Sequence, residues 1–239
     1  MIPIDKKTIP FLRGEQFSSA FIFKFKKDNG NIVYRISYLE KLVFKKNIIH
    51  VGCLDHIPLV EDKIKRNQWL HKRLNESSQK CIGIDINKEG IEYVRKLGFD
   101  NIFYHDIIND KPNDIIIKEK WDYMLLGEIL EHIENPTLFL GSIINKYHNI
   151  VDKLIISVPY AFSYHNFRNA IKGVEAINSD RYYWFTPYTL ARIITKGGGE
   201  IEGYQMCVNY TLYRFSIFSR LIYRYFPALR NSLVVIVKI

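Results

Sequence analysis

Cysteine is scarce in this sequence, and long apolar runs are missing. The three cysteines, Cys53, Cys81 and Cys207, are widely spaced and odd in number. They form neither a disulfide framework nor a zinc-binding pattern, so we expect a reducing, cytoplasmic environment. No run approaches the ~18 apolar residues that span a bilayer, and the first residues, MIPIDKKTIPF, have no apolar signal-peptide core. These absences argue against a secreted, disulfide-stabilised domain.

Two glycine-rich phosphate-binding motifs are also missing. The dinucleotide fingerprint G-x-G-x-x-G is absent, because Gly52 is followed by Cys53, Leu54, Asp55 and His56. The pattern G-x-x-x-x-G-K-[ST] is absent too. The first absence argues against NAD binding, and the second argues against a P-loop NTPase.

The 239 residues fit one domain with an elaboration, or at most two small domains. Hydrophobic residues make up 47%, enough for a large core. The net charge of +9 is unevenly spread: residues 1–46 and 159–239 each carry +6, and residues 47–158 carry −3. The basic flanks predict a negatively charged partner: a phosphorylated small molecule, an anionic lipid surface or a nucleic acid. The alternative is that these cations are only solvated surface residues.

Strands alternate with helices from residue 47 onward. We predict strands at 47–51, 81–86, 101–105, 121–126 and 154–158, and helices at 60–75, 88–97 and 137–147. This alternation favours βαβ units and a mostly parallel, doubly wound α/β sheet. A helix at 187–196 and strands at 200–208 and 233–239 complete the chain. Residues 1–46 are a basic N-terminal extension, either a hairpin that turns at residues 28–31 or a helix at 34–43.

The stretch WDYMLLGEILEHIENP at residues 121–136 is the most informative part of the chain. A buried strand ends at Gly127 and leads into a short acidic helix. Glu128, Glu131 and His132 follow at helical spacing, so we expect them to share one face. Ligands of open α/β sheets bind outside the carboxyl ends of the strands, which places this face at the active cleft. The alternative is a helix whose acids only favour its N-terminus.

A strand, a glycine loop and a helix, followed by a strand that ends in an acid, are typical of nucleoside-binding domains. Gly52 would allow close backbone approach, and Asp85 would accept hydrogen bonds from ribose hydroxyls. Asp106, at the next strand end, could meet a base edge. These positions predict a nucleoside site between residues 50 and 107.

The ordered series HVGC, GIDI, YHD and GEILEHIENP resembles the class I S-adenosylmethionine-dependent methyltransferases, of the small-molecule type with a GE-h-h-EH-h-x-NP motif. The resemblance covers residues 47–195 and implies a Rossmann-like, seven-stranded α/β/α sandwich with an antiparallel last strand, in a domain at 47–239. It also implies S-adenosylmethionine as the cofactor. The implied cofactor-binding residues are His50, Gly52, Cys53, Asp85, Ile86, Asp106, Ile107, Gly127 and Glu128.

The sequence departs from the family pattern in the glycine loop. His50 stands where the family has an acid, and Leu54 and His56 stand where it has glycines. Asp55 could supply the missing negative charge. A relative that binds no cofactor therefore stays open as an alternative.

Methyl transfer to a hydroxyl needs a proton acceptor, for which His132 and His165 are the candidates. The irregular segment 160–185 follows the fifth strand and should cover the acceptor. Its candidate acceptor-binding residues are Tyr160, Asn166, Tyr182, Tyr183 and Trp184, with core packing as the alternative for each. By resemblance to some O-methyltransferases and small-RNA methyltransferases, Glu128, Glu131 and His132 could hold a divalent metal, Mg²⁺ or Mn²⁺.

We expect methyl transfer to a hydroxyl of a small-molecule or glycan-like acceptor, since relatives with EH-h-x-NP and a VP-Y segment often accompany polysaccharide synthesis. RNA methylation is one alternative, suggested by the basic flanks. A non-catalytic binding or membrane-docking module is another. The aromatic and basic insertion 210–230 would bind an anionic acceptor group or membrane surface through Arg220 and Arg224, or would only cover a sheet edge.

Overall fold

The computed structural model describes residues 1–25, 31–209 and 217–239. Its centre is a seven-stranded sheet in the order β3-β2-β1-β4-β5-β7-β6. The strands are β1 (Asn47–Val51), β2 (Lys80–Asp85), β3 (Ile102–Tyr104), β4 (Trp121–Gly127), β5 (Val151–Pro159), β6 (Glu200–Cys207) and β7 (Ser232–Lys238). Neighbouring strands are parallel except for β7, which is antiparallel to β5 and β6.

Helices cover both faces of this sheet. In the described ranges they are α1 (Ile9–Arg13), α2 (Arg35–Val43), α3 (Ile57–Lys65), α4 (Leu70–Ser77), α5 (Lys88–Lys96), α6 (Asp114–Ile117), α7 (Pro136–Tyr147), α8 (Tyr164–Ile171), α9 (Pro187–Lys196) and α10 (Ile217–Tyr225). Short 3₁₀ turns lie at Lys6–Thr8, Leu130–His132 and Pro227–Leu229. None of the helices in these ranges is long and apolar enough to cross a bilayer.

The sheet forms two hydrophobic cores because successive strand residues point to opposite faces. In β4, Met124 and Leu126 join the core that α7 and α9 cover. Leu125 points the other way, into the core that α2 and α4 cover with Leu39, Val43 and Leu74. This three-layer arrangement, with an antiparallel β7, confirms the predicted α/β/α fold class.

The strand order reverses between β1 and β4, each of which is parallel to its neighbours. The crossovers from these two strands run in opposite directions along the sheet, so a crevice opens at their carboxyl ends. Residues 52–56 after β1 and residues 128–135 after β4 meet there. The fold therefore positions the predicted glycine loop and the acidic motif side by side.

The predicted helix at 60–75 is wrong, because two helices occupy this region. α3 ends at Lys65 and α4 begins at Leu70. Between them Asn67 has a φ of 55°, a left-handed conformation that asparagine tolerates and that breaks a helix. The chain thereby turns twice between β1 and β2, which accommodates the long spacing from Gly52 to Asp85.

Of the two predictions for residues 1–46, the helix is confirmed as α2. Residues 21–25 and 31–33 are irregular, and the turn of the predicted hairpin lies mostly outside the described residues. Ile2 exchanges backbone hydrogen bonds of 2.8 and 2.9 Å with Tyr204, and Val208 N donates to Val33 O at 2.7 Å. These contacts place the N-terminal segment on the edge strand β6, which would otherwise expose unpaired backbone groups.

Candidate functional site

A cavity of about 850 Å³ lies at the carboxyl ends of β1, β2 and β4. Its walls combine cations, anions and neutral polar groups from loops that are distant in sequence. Of the predicted cofactor-binding residues, those that line it are His50, Gly52, Cys53, Asp85, Gly127 and Glu128. The predicted proton acceptor His132 lines it as well. The structure thus brings these sequence-predicted residues into one place.

The loop after β1 is held by contacts on three sides. Gly52 has a φ of 59° and donates its N–H to Ile84 O at 2.9 Å. Any Cβ at this glycine would lie 2.7 Å from Ile129 Cδ1. Trp69, buried behind the loop, donates its Nε1–H to Cys53 O at 3.1 Å. The loop is therefore rigid where a ligand would approach the backbone most closely.

Leu54, which stands where the resemblance implies a glycine, does not have a positive φ. The backbone at this position therefore does not require glycine. Its side chain packs onto α5, where a Cβ at Gly90 would lie 2.7 Å from Leu54 Cδ1. Asp55, the suggested substitute acid, lines the cavity but forms an ion pair with Lys63. The departures in this loop are thus accommodated locally.

Asp85 lies where β2 ends and its carboxylate links two neighbouring segments. Its Oδ2 accepts from Leu54 N at 3.1 Å, and its Oδ1 accepts from Asn87 N at 3.0 Å. Each oxygen keeps a lone pair, because a carboxylate can accept about four hydrogen bonds. The remaining lone pairs can accept from vicinal hydroxyl groups in the cavity.

His50 forms a buried pair with His71. Their Nδ1 atoms are 3.2 Å apart, and the rings are stacked. Burial lowers the pKa of His50 well below its usual value, helped by His71 and Arg35, and it lowers the pKa of His71 to about 4. Both imidazoles are therefore neutral at pH 7. His50 Nε2 has no protein partner, so a neutral polar atom stands where the family has an acid.

Glu128 adds a further carboxylate to the cavity wall. Its φ of 58° turns the chain sharply after β4, and its N–H donates to Ser157 O at 2.8 Å. Arg35 Nε lies 3.5 Å from Glu128 Oε1, and Asn209 Nδ2 donates to the same oxygen at 3.3 Å. The side chain of Glu128 is thus fixed by α2 and by the end of β6.

His132 is oriented by Asp180. Its Nδ1 lies 3.2 Å from Asp180 Oδ2 and 3.1 Å from Asp180 O. Its Nε2 is 3.9 Å from Glu131 Oε1, and Arg181 Nη2 is 4.0 Å from the same oxygen. Glu131 is fully buried, and both of its oxygens lack a hydrogen-bond partner. Burial, followed by the nearby charge of Glu128, raises the pKa of Glu131 to about 8.

The structure does not support the predicted metal site. No group of three His, Cys, Asp or Glu side chains within residues 1–25, 31–209 and 217–239 is arranged to hold a metal. The expected shared helical face does not form, because only Leu130–His132 makes a turn and Glu128 lies outside it in a left-handed conformation. The carboxylate of Glu128 instead lies next to Arg35.

Three predicted cofactor-binding residues do not line the cavity. Ile107 is buried in the core and Ile86 is exposed. Asp106 closes its own turn, because Oδ1 accepts from Ile108 N and Asn109 N at 3.0 Å. These bonds, that of Asn109 foremost, lower the pKa of Asp106. Its carboxylate is therefore already satisfied by local donors.

The predicted acceptor-binding residues also lie elsewhere. Asn166 and Trp184 line a second, apolar cavity of about 460 Å³ beyond the carboxyl end of β5. Tyr160 is buried in the core, and Tyr183 Oη donates to Glu134 O at 2.7 Å. His165 is exposed on α8 and lines neither cavity. Segment 160–185 still reaches the larger cavity, but through Asn178, Asp180 and Arg181.

Sequence reasoning missed Arg35, Asp180, Arg181 and Asn209 as parts of the cavity wall. The sequence contains a signal for Arg35, because this residue belongs to the buried face of α2 together with Ile36, Leu39 and Val43. An arginine on a buried stripe needs an anionic or polar partner. The other three lie in irregular segments whose position is set only by tertiary contacts.

No known protein family matches the sequence, and no curated protein does. Solved structures do match. Magnesium protoporphyrin IX methyltransferase (ChlM) from Synechocystis PCC 6803, with bound SAH, has 14% identity over 85% of this chain and 79% of that one, with a TM-score of 0.50. A SAM-dependent methyltransferase from Aquifex aeolicus has 13% identity over 86% and 89%, also with a TM-score of 0.50.

The small RNA methyltransferase HEN1 has 15% identity and a TM-score of 0.56. The match covers 93% of this chain and only 27% of HEN1. At such identities the likeness concerns the fold. The chain has the fold of the class I S-adenosylmethionine-dependent methyltransferases, as its sequence motifs predicted.

Proposed function

We propose that this protein is an S-adenosylmethionine-dependent methyltransferase that acts on a hydroxyl group of a small-molecule or glycan-like acceptor. The observation that carries the proposal is the 850 Å³ cavity at the reversal of strand order, with Gly52 and Asp85 on its wall. Its position is that of ligand sites in open α/β sheets, and its size is within the range of small-molecule pockets.

The residues of the cavity fit this cofactor. Asp85 has lone pairs left for ribose hydroxyls, and the unpartnered Nε2 of His50 and the buried guanidinium of Arg35 can meet the polar end of an amino-acid chain. When bound, S-adenosylmethionine supplies an activated methyl group on a sulfonium. The protein must then position the acceptor and remove its proton.

His132 is the proposed proton acceptor. It lines the cavity, and the contact of its Nδ1 with Asp180 fixes the orientation of the ring. Nearby, the side chains of Asn178, Asn209 and Glu128 line the same cavity. Amide and carboxylate groups hydrogen-bond hydroxyls well, which supports an acceptor that carries several of them.

We expect His132→Ala to lower turnover by about 10²- to 10⁴-fold, since it removes a general base. Affinity for S-adenosylhomocysteine, measured by calorimetry, should stay near that of the wild type. His165→Ala is the matched control and should leave both quantities unchanged, because His165 lies outside the cavity. Loss of turnover in His165→Ala with retention in His132→Ala would reverse this assignment.

The proposal as a whole is tested by calorimetric titration with S-adenosylmethionine and S-adenosylhomocysteine, followed by transfer of labelled methyl groups to panels of phenols, sugars and nucleotide sugars. Absence of binding by both ligands would leave the non-catalytic alternative. Binding without transfer to any hydroxyl compound would refute the acceptor class.

A second candidate is methylation of RNA. It is supported by the +6 charge of each flank, and HEN1, by its name, acts on small RNA. Salt-dependent binding of RNA, with a steep fall in affinity as salt rises, together with methyl transfer to it, would favour this candidate.

A further inference from the structure

Helices α8 and α10 lie next to each other at the edge of the sheet where β5 ends. The rings of Tyr164 in α8 and Phe218 in α10 have centroids 6.5 Å apart. Arg230 is fully buried below α10 and donates its Nε–H to Tyr223 O at 3.2 Å. The two helices therefore form one surface that is anchored to the domain.

The outer side of α10 is apolar. At about 100° per residue, Phe218, Leu221 and Tyr225 share one side of the helix, nearly opposite Tyr223. Tyr223 is 2% exposed, so the helix packs on the domain through that side. Phe218, Leu221 and Tyr225 are 62%, 47% and 68% exposed. The helix thus presents an apolar side to solvent when a polar one would be expected.

Helix α8 continues this surface. Phe167 and Ile171 are 55% and 71% exposed, and Val174 just beyond the helix is 55% exposed. We call Phe167, Ile171, Val174, Phe218, Leu221 and Tyr225 the apolar face. Phe167 and Val174 also line the 460 Å³ cavity, so this apolar cavity opens onto the apolar face. A group of exposed apolar side chains of this kind marks an interaction surface.

The charge around the apolar face is positive. Residues 164–175 and 217–225 carry four exposed cations and one acid, Glu175. Arg220 and Arg224 are exposed and lie one turn apart on the flank of α10 between Leu221 and Tyr223, and Arg168 and Lys172 are exposed at α8. Aliphatic side chains such as Ile171 and Leu221 gain nothing from a phosphodiester backbone, whereas both they and the cations suit a lipid surface.

We propose that the apolar face docks the protein on an anionic phospholipid bilayer. Phe218, Leu221 and Tyr225 enter the boundary between headgroups and acyl chains, and Arg220 and Arg224 contact lipid phosphates. The contact is peripheral, with α10 lying in the plane of the interface. The inference does not depend on the proposed methyl transfer.

Cosedimentation of the whole chain with vesicles of phosphatidylcholine, with and without phosphatidylglycerol, tests this inference. Binding should require the anionic lipid and weaken as salt rises. Arg220→Gln with Arg224→Gln should reduce binding about 30-fold. Phe218→Ser with Leu221→Ser should reduce it at least about tenfold, since both exposed side chains lose their burial in lipid.

The matched control is Arg66→Gln with Lys96→Gln, which removes two exposed cations from the connections between β1 and β3. It should bind vesicles as the wild type does. If the control loses as much vesicle binding as Arg220→Gln with Arg224→Gln, the effect depends only on net charge, and the inference is overturned. Failure of the wild type to bind anionic vesicles would also overturn it. A third contrary result would be that Arg220→Gln with Arg224→Gln abolishes binding of RNA and leaves vesicle binding unchanged.

Discussion

Replacing Asp85 by alanine should lower the affinity for S-adenosylmethionine by about ten- to a hundredfold. Hydrogen bonds to a charged group are worth about 1.5–3 kcal/mol, and each 1.4 kcal/mol corresponds to about a factor of ten. The carboxylate also accepts from Leu54 N at 3.1 Å, so the substitution frees the loop that approaches the ligand. Calorimetric titration with S-adenosylmethionine and S-adenosylhomocysteine measures the loss.

Asp106→Ala is the matched control for this experiment. Asp85 ends β2 and Asp106 lies two residues after the neighbouring parallel strand β3. The carboxylate of Asp106, however, is engaged by Ile108 N and Asn109 N, and Asp106 does not line the cavity. We expect Asp106→Ala to bind the cofactor normally, with some loss of thermal stability. Unchanged affinity in a folded Asp85→Ala variant, or an equal loss in Asp106→Ala, would show that the cofactor lies elsewhere.

The central sheet was predictable because its strands are short apolar runs that end at glycine, proline or polar residues. β1 (Asn47–Val51) and α9 (Pro187–Lys196) have the predicted bounds. α7 begins at Pro136, one residue before the predicted start, and Asn135 caps it by accepting from Leu138 N at 3.2 Å. These boundaries depend on local chemistry, which the sequence carries in full.

The cavity wall was only partly predictable, for a physical reason. Gly52, Asp85 and Glu128 lie at or just after strand ends, so sheet topology alone places them together. Asp106 follows a strand end as well, but β3 has only three residues and the next turn takes its carboxylate. Arg35 and Asp180 reach the cavity from segments far away in sequence, and only the packing of the N-terminal segment and of residues 160–185 places them.

Glu131 is a buried carboxyl without hydrogen-bond partners, and its consequences extend to stability. Burial in the first place, and Glu128 in the second, raise its pKa from 4.5 to about 8. Below pH 4.5 the group is protonated in the folded and the unfolded chain. Between 4.5 and about 8 the unfolded chain releases this proton while the folded chain keeps it. The free energy of unfolding therefore falls as pH rises through this window, by up to about 1.4 kcal/mol per unit.

We expect Glu131→Gln to remove this pH dependence, because glutamine has nearly the same shape and no proton to lose. At pH 5 the variant and the wild type should unfold at similar denaturant concentrations. At pH 8 the variant should be more stable by about 4 kcal/mol, because the wild type has by then lost most of the stability that its protonated Glu131 supplies. Denaturant unfolding of the ligand-free protein at pH 5, 6.5 and 8 measures the difference.

Glu134→Gln is the control, since Glu134 lies three residues away and is exposed. Its stability should follow the pH dependence of the wild type. Parallel curves for the wild type and Glu131→Gln from pH 5 to 8 would mean that Glu131 is ionised in the folded protein. The buried carboxylate would then need a counter-charge, and Arg181, whose Nη2 is 4.0 Å from Glu131 Oε1, would have to supply it. In that case Arg181→Gln should strongly destabilise the wild type at pH 8. The same substitution made in the Glu131→Gln variant should have almost no effect on stability.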